Sequence, residues 1–178
     1  LKTAREGLKP DAMDPERRLF ARFEEMGIAS ETVEHDATAT VAESAHLAET
    51  MPGSRSKSLL LEDKDGTLTL VTAVGRTKVD LKKVGEAVGA RGRLSFAKPE
   101  VMEEVLGVAP GHLTPFALIN DRSLRIETFV IDEALFEADP IWAHPLRNTA
   151  STGVTGEDLK RFAELHAKAF IVIGLAQG

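Results

Sequence analysis

Lys57 opens an otherwise apolar run, Lys57-Ser58-Leu59-Leu60-Leu61. If the run is a strand, alternation places Lys57, Leu59 and Leu61 on one face, a cation beside an apolar wall. Such a lysine either carries its ammonium out to solvent along its own methylenes or anchors a phosphate or carboxylate at a pocket mouth. A second group is Gly111-His112-Leu113-Thr114-Pro115, a G-x-x-x-P loop. Glycine lets a ligand come close to the backbone and proline fixes the exit. Main-chain N–H groups in such a loop can hold a carbonyl oxygen or an oxyanion, although Gly and Pro also mark ordinary stiff connections. The third group runs from His144 through Pro145, Leu146, Arg147, Asn148, Thr149, Ala150 and Ser151 to Thr152. Its amide and hydroxyl donors fit a binding loop or a polar turn with capping hydroxyls.

Other chemistries lack a carrier. The sequence has no G-x-S-x-G elbow, no H-E-x-x-H, no P-loop and no G-x-G-x-x-G between a strand and a helix. Histidines stand at 35, 46, 112, 144 and 166 with no i, i+4 pair, so no zinc site is expected. The absence of cysteine removes disulfides, thiolate ligands and thiol nucleophiles and fits a reducing cytoplasm. A formal net charge of −6 argues against sequence-independent duplex binding. Contact with nucleic acid is therefore expected to be confined to one end or one stem. No apolar run approaches the roughly 18 residues a membrane span needs, and the expectation is a soluble, cytoplasmic protein without a cofactor.

At 178 residues and 43% hydrophobic the chain suits one domain with its own core. Residues 1–12 have no apolar period and read as a leader or extra segment ahead of a domain over 13–178. Asp14-Pro15 starts a helix that ends near Gly27, and Glu31 to Asp36 reads as a short strand. Thr40 to Glu43 has the capping-box pattern of a second helix reaching about Glu49. Lys57–Glu62 and Thr67–Val74, joined by Lys64-Asp65-Gly66, give the clearest hairpin. Short helices are expected over Asp80–Val88 and Pro99–Leu106, and strands over Phe116–Asn120 and Leu124–Ile131. Thr155 caps a last helix to about Lys168, and Phe170–Leu175 closes the chain as a buried strand. The irregular alternation predicts an α+β domain with a mixed sheet.

Taken in order, the K-S-L-L-L start, the G-H-L-T-P loop behind Gly107-Val108-Ala109-Pro110, and the H-P-L-R-N-T-A-S-T stretch resemble the YbaK/ProXp family of aminoacyl-tRNA editing domains. The His35 to Ala42 segment is also similar to that family's way into its pocket. The likeness runs from about Asp14 to Leu175 and is nearest the free-standing ProXp-ala type. It implies a barrel-like mixed-sheet domain of the YbaK/prolyl-tRNA synthetase editing type, whose pocket takes the aminoacyl 3′ end of a mischarged tRNA. It implies an ester hydrolase acting in trans, with Ala-tRNA(Pro) as substrate and prolyl-tRNA synthetase as a possible partner. The same fold acting on Ser-, Thr- or Cys-charged tRNA, or a noncatalytic module binding RNA ends or a synthetase, are the alternatives.

On that resemblance Lys57 anchors the RNA end, and the loop of Gly111, His112, Thr114 and Pro115 lines the aminoacyl site. Its main-chain donors face the developing oxyanion, while a neighbouring ribose hydroxyl and an ordered water take part. No side-chain nucleophile is needed, because an aminoacyl ester is already activated. His35, Thr40, His144 and Asn148 are expected at the substrate. Strand parity and adjacency add Leu59 and Phe116 as the wall that selects by size.

Overall fold

The computed structural model describes residues 14–37 and 49–177. Residues 1–13, Thr40 and nearly all of the helix expected to follow it lie outside them. Helix α1, Pro15–Met26, starts where Asp14 accepts the Arg17 N–H at 3.0 Å, and it stops at Gly27, whose φ of 68° is left-handed. Strand β1 is Glu31–Glu34. The hairpin follows as β2, Ser54–Glu62, and β3, Leu68–Val74. Its turn is held by the Asp63 carboxylate, which accepts N–H groups of Asp65, Thr67 and Arg91 at 2.9–3.0 Å. These bonds, led by that from Arg91, hold the carboxyl below the usual aspartate range.

Helix α2, Leu81–Val88, capped by Asp80, leads to the two-residue β4, Ser95–Phe96, and to α3, Pro99–Leu106. Beyond a loop come a 3-10 helix at Pro115–Asn120, strand β5 at Ile126–Asp132 and a second 3-10 helix at Glu133–Glu137. Strands β6, Ile141–Ala143, and β7, Ala150–Val154, precede α4, Gly156–His166, and β8, Phe170–Ile173. Among the described residues the sheet has eight strands in the order β1-β7-β6-β2-β3-β5-β8, with β4 also on β2. Pairing is parallel for β2 with β6, β3 with β5 and β5 with β8, and antiparallel elsewhere, so the mixed-sheet α+β expectation holds.

Strand β3 is buried along six of its seven residues because both faces of the sheet are covered. The larger core holds Leu19, Leu60, Leu70, Phe129 and a trio of aromatic rings from three elements. Phe23, Phe116 and Phe162 meet edge to face at centroid distances of 5.3–5.9 Å, fastening α1, the first 3-10 helix and α4 together. On the opposite face Leu61, Val71, Ala73, Val84, Val130 and Leu175 form a smaller core beneath α2.

Three expectations change. Phe116–Asn120 is not a strand but the 3-10 helix: Pro115 sits at its first turn, and the Thr114 hydroxyl accepts the Phe116 N–H at 3.3 Å. The stretch read as a polar turn contains β7 from Ala150 onward, and β8 is half-buried rather than buried. Strands β4 and β6 are too short, at two and three residues, to leave a period in the sequence.

Candidate active site

Beside β2 lies a cavity of about 340 Å³, and it brings together Lys57, Leu59, Gly111, Pro115 and His144 from the residues expected at the site. Leu60, Phe96, Met102 and Leu113 add apolar wall. Strand β2 presents its residues with the expected parity. Lys57 and Leu59 pair with Ala73 and Val71 of the smaller core, and Leu60 joins the larger one. The Lys57 ammonium donates to the carbonyl of Thr77, in the segment after β3.

The opposite wall is the G-x-x-x-P loop, and its local chemistry explains its shape. The His112 N–H donates to the Ala109 carbonyl at 3.0 Å, closing a turn with Pro110 and Gly111 at its centre. Gly111 has φ +88°, the conformation a type II turn requires at that position. His112 therefore has no free main-chain N–H for an oxyanion, while Gly111 and Leu113 both line the cavity. Thr114 is 1% exposed and uses its hydroxyl on Phe116, so it caps the 3-10 helix rather than facing substrate. Phe116, also 1% exposed, belongs to the aromatic trio and not to the wall. Adjacency to the loop misled there because the 3-10 turn that follows carries the ring into the core; Leu113 and Met102 line the cavity instead.

His144 follows β6 directly. Its Nδ1 lies 3.1 Å from the Ala150 carbonyl, across the bend into β7. Burial first, and then the nearby charges of His35, His112 and Arg55, push its pKa below the usual histidine value. His35 comes close because β1 pairs with β7, and the two imidazole centroids are 6.3 Å apart. His35 Nε2 is hydrogen-bonded to the Ser151 hydroxyl at 2.9 Å and its Nδ1 to the Asp36 carbonyl. It lies behind His144 rather than on the cavity lining. Asn148, half-buried in the same bend, is not on the lining either.

Arg147 holds that bend in place, a role the sequence did not reveal. Its guanidinium donates to Glu16 of α1 at 3.0 Å, to both Glu34 oxygens of β1 at 2.6 and 2.7 Å, and to the Thr149 hydroxyl at 2.9 Å. The bond from Arg147 keeps the Glu34 carboxyl below its ordinary pKa. Three segments distant in sequence converge on one planar fork, which is geometry suited to arginine.

Neither serine at the cavity is set up as a nucleophile. Ser56 Oγ donates to the Trp142 carbonyl at 2.5 Å, and Ser58 Oγ shares a 2.8 Å bond with Thr72 Oγ1. Among the described residues no three His, Cys, Asp or Glu side chains are grouped to hold a metal ion, and no helix is long and apolar enough to cross a membrane. What remains is the Lys57 cation, the Pro110-Gly111 turn and the His144 imidazole around a largely apolar cavity.

Comparison with known proteins supplies the family. The model of the aminoacyl-tRNA editing domain matches residues 35–162. The prolyl-tRNA editing protein ProX of Acetoanaerobium sticklandii is 29% identical over 92% of this chain and 99% of its own length. The mouse prolyl-tRNA synthetase associated domain-containing protein 1 is 32% identical, over 82% of this chain and 88% of its own. A solved structure described as "a putative trans-editing enzyme for prolyl tRNA synthetase" superimposes with a TM-score of 0.70 at 26% identity, covering 93% of this chain and 99% of that one. The chain belongs to the aminoacyl-tRNA editing domain family, hydrolases that deacylate aminoacyl-tRNA.

Proposed function

We propose that this protein acts in trans on mischarged tRNA(Pro), releasing alanine from Ala-tRNA(Pro) in the cytoplasm, alone or beside prolyl-tRNA synthetase. The observation that carries the reading is the cavity itself, with Lys57 on one side and the Pro110-Gly111 turn and His144 on the other. The proline connection is drawn from the two relatives and the superimposed structure, whose descriptions refer to prolyl-tRNA or its synthetase.

In the reaction a water oxygen attacks the ester carbonyl carbon. The negative charge that develops on the carbonyl oxygen is met by the N–H groups of Gly111 and Leu113. The acyl–oxygen bond to the ribose then breaks, and the ribose oxygen takes the proton that His144 received from the water. Nε2 of His144 accepts the proton that the water gives up. Lys57 leaves the Thr77 carbonyl to engage a phosphate of the incoming RNA. A wall of Leu59, Leu113 and Met102 admits a methyl side chain and rejects larger ones by clash, which discriminates more sharply than the loss of one methylene contact, worth about 1–3 kcal/mol.

The deciding experiment mixes the purified protein with tRNA(Pro) charged with alanine or proline, and with Ser-, Thr- and Cys-tRNAs. Release of alanine with proline retained is expected. Retained alanine refutes the activity, and preferential release of another amino acid refutes the specificity.

A further inference from the structure

Strand β2 has one edge covered throughout and one edge with a hole. On the first edge β3 pairs from Ser56 to Glu62. The second edge meets β6 at Ser54 and Arg55 and β4 at Leu61 and Glu62. Main-chain bonds fix which residues face it. The Arg55 carbonyl accepts from Gly75 on the β3 side, whereas Ser54 N–H donates to Pro140 and the Leu60 carbonyl accepts from Ala97 on the other. Successive residues alternate edges, so Ser58 turns both its N–H and its C=O into the hole.

The hole is written into the sequence by two prolines. Extending the two registers places Pro99 and Pro145 opposite Ser58. Neither has an N–H to continue a ladder. Pro99 diverts its chain into α3, and Pro145 follows His144 out of β6. The cavity fills the space where a neighbouring strand would run, being lined by Ser58, by Ala97 after β4 and by Ala143 at the end of β6. Phe96 stands at its rim with 62% of its surface exposed, the most exposed large apolar side chain among the described residues.

We infer that Ser58 and Phe96 read the terminal adenine of the tRNA: the Ser58 N–H donates to adenine N1, its C=O accepts from the N6 amino group, and the Phe96 ring stacks on the base. This rests on the tRNA reading above and adds to it how the base is recognised. One donor beside one acceptor complements the Watson–Crick edge of adenine, whereas hypoxanthine and guanine present the reverse order. A planar base lying in the sheet's plane turns its π faces toward side chains above and below, and an exposed aromatic is a stacking platform for it. A peptide strand would need a longer open edge, and the opening here is confined between Arg55 and Leu61, with Ser58 at its centre.

The test uses non-hydrolysable 3′-alanylamino-3′-deoxy nucleosides bearing adenine, purine or hypoxanthine, titrated into the 15N-labelled protein. The adenine compound should shift the Ser58 amide and bind at least fivefold more tightly than the other two. Phe96→Ala should weaken it at least fivefold while leaving the melting temperature unchanged. Equal affinities for the three bases, or an unmoved Ser58 amide, overturn the inference. Deacylation of Ala-tRNA(Pro) is measured in parallel. Base discrimination without deacylation would sink the proposed activity but keep the base reader, and deacylation without base discrimination would do the opposite.

Discussion

The Nδ1 of His144 lies 3.1 Å from the main-chain carbonyl of Ala150, and because a carbonyl oxygen only accepts, the proton of the neutral ring sits on Nδ1. Nε2 is then a bare acceptor, and burial favours that neutral form. Sequence alone shows a histidine before a proline; the tautomer comes from the bend that returns the chain to β7.

His144→Ala should therefore lower kcat by at least about tenfold, roughly 1.4 kcal/mol in the barrier. The wild-type kcat should fall on acidification with a midpoint below the usual histidine value, since burial depresses the pKa of His144. Single-turnover deacylation across pH 4.5–8 checks both, and a midpoint above pH 6.5 would contradict the assignment.

Lys57→Ala should reduce kcat/KM by at least about tenfold with little change in melting temperature, because the lysine's hydrogen bond is to a single loop carbonyl. The loss should shrink as salt is raised, since the interaction replaced is with an RNA phosphate. A wild-type rate at low salt would remove Lys57 from substrate binding.

Phe116 and Leu59 separate core from wall. Phe116→Ala empties the centre of the aromatic trio and should cost about 3–5 kcal/mol, a fall in melting temperature on the order of 10 °C for a chain of this size. The ratio of alanine to proline release should stay as it was. Leu59→Phe should leave the melting temperature within a few degrees while slowing alanine release. Calorimetry paired with the two deacylation rates distinguishes the roles.

Much of this was legible in the residues. Asp14-Pro15 and Gly27 mark both ends of α1 by capping chemistry, and the Lys64-Asp65-Gly66 turn declares the hairpin, because these signals are local. Strand parity was legible too, and it put Lys57 and Leu59 on the same face of β2. Thr114 and Phe116 were misplaced because Thr114-Pro115 is a helix cap as readily as a strand start. Arg147 was invisible as a clamp because Glu16 and Glu34 reach it only after β1 has paired with β7.

His166 makes stability depend on pH. Its ring stacks on Phe162 at 4.4 Å, and burial, aided by Arg22, pushes its pKa down to about 4. Between pH 6.5 and 4 the unfolded chain binds the proton that the folded one refuses, so stability falls as the solution is acidified through that window. The melting temperature should be lower at pH 5 than at pH 7.5. His166→Phe, which keeps the stacking, should shrink that difference; an unchanged difference would show that other groups govern it.

Trp142 is 2% exposed on β6, with its indole N–H donating to the Pro52 carbonyl at 2.9 Å, and its backbone neighbours Ala143 and His144 line the cavity. The sequence has one tryptophan and no tyrosine. The protein thus carries a built-in optical reporter: excitation near the red edge of indole absorption yields emission from a single site directly beside the cavity lining. Quenching or a spectral shift on adding a ligand would follow occupancy without any label.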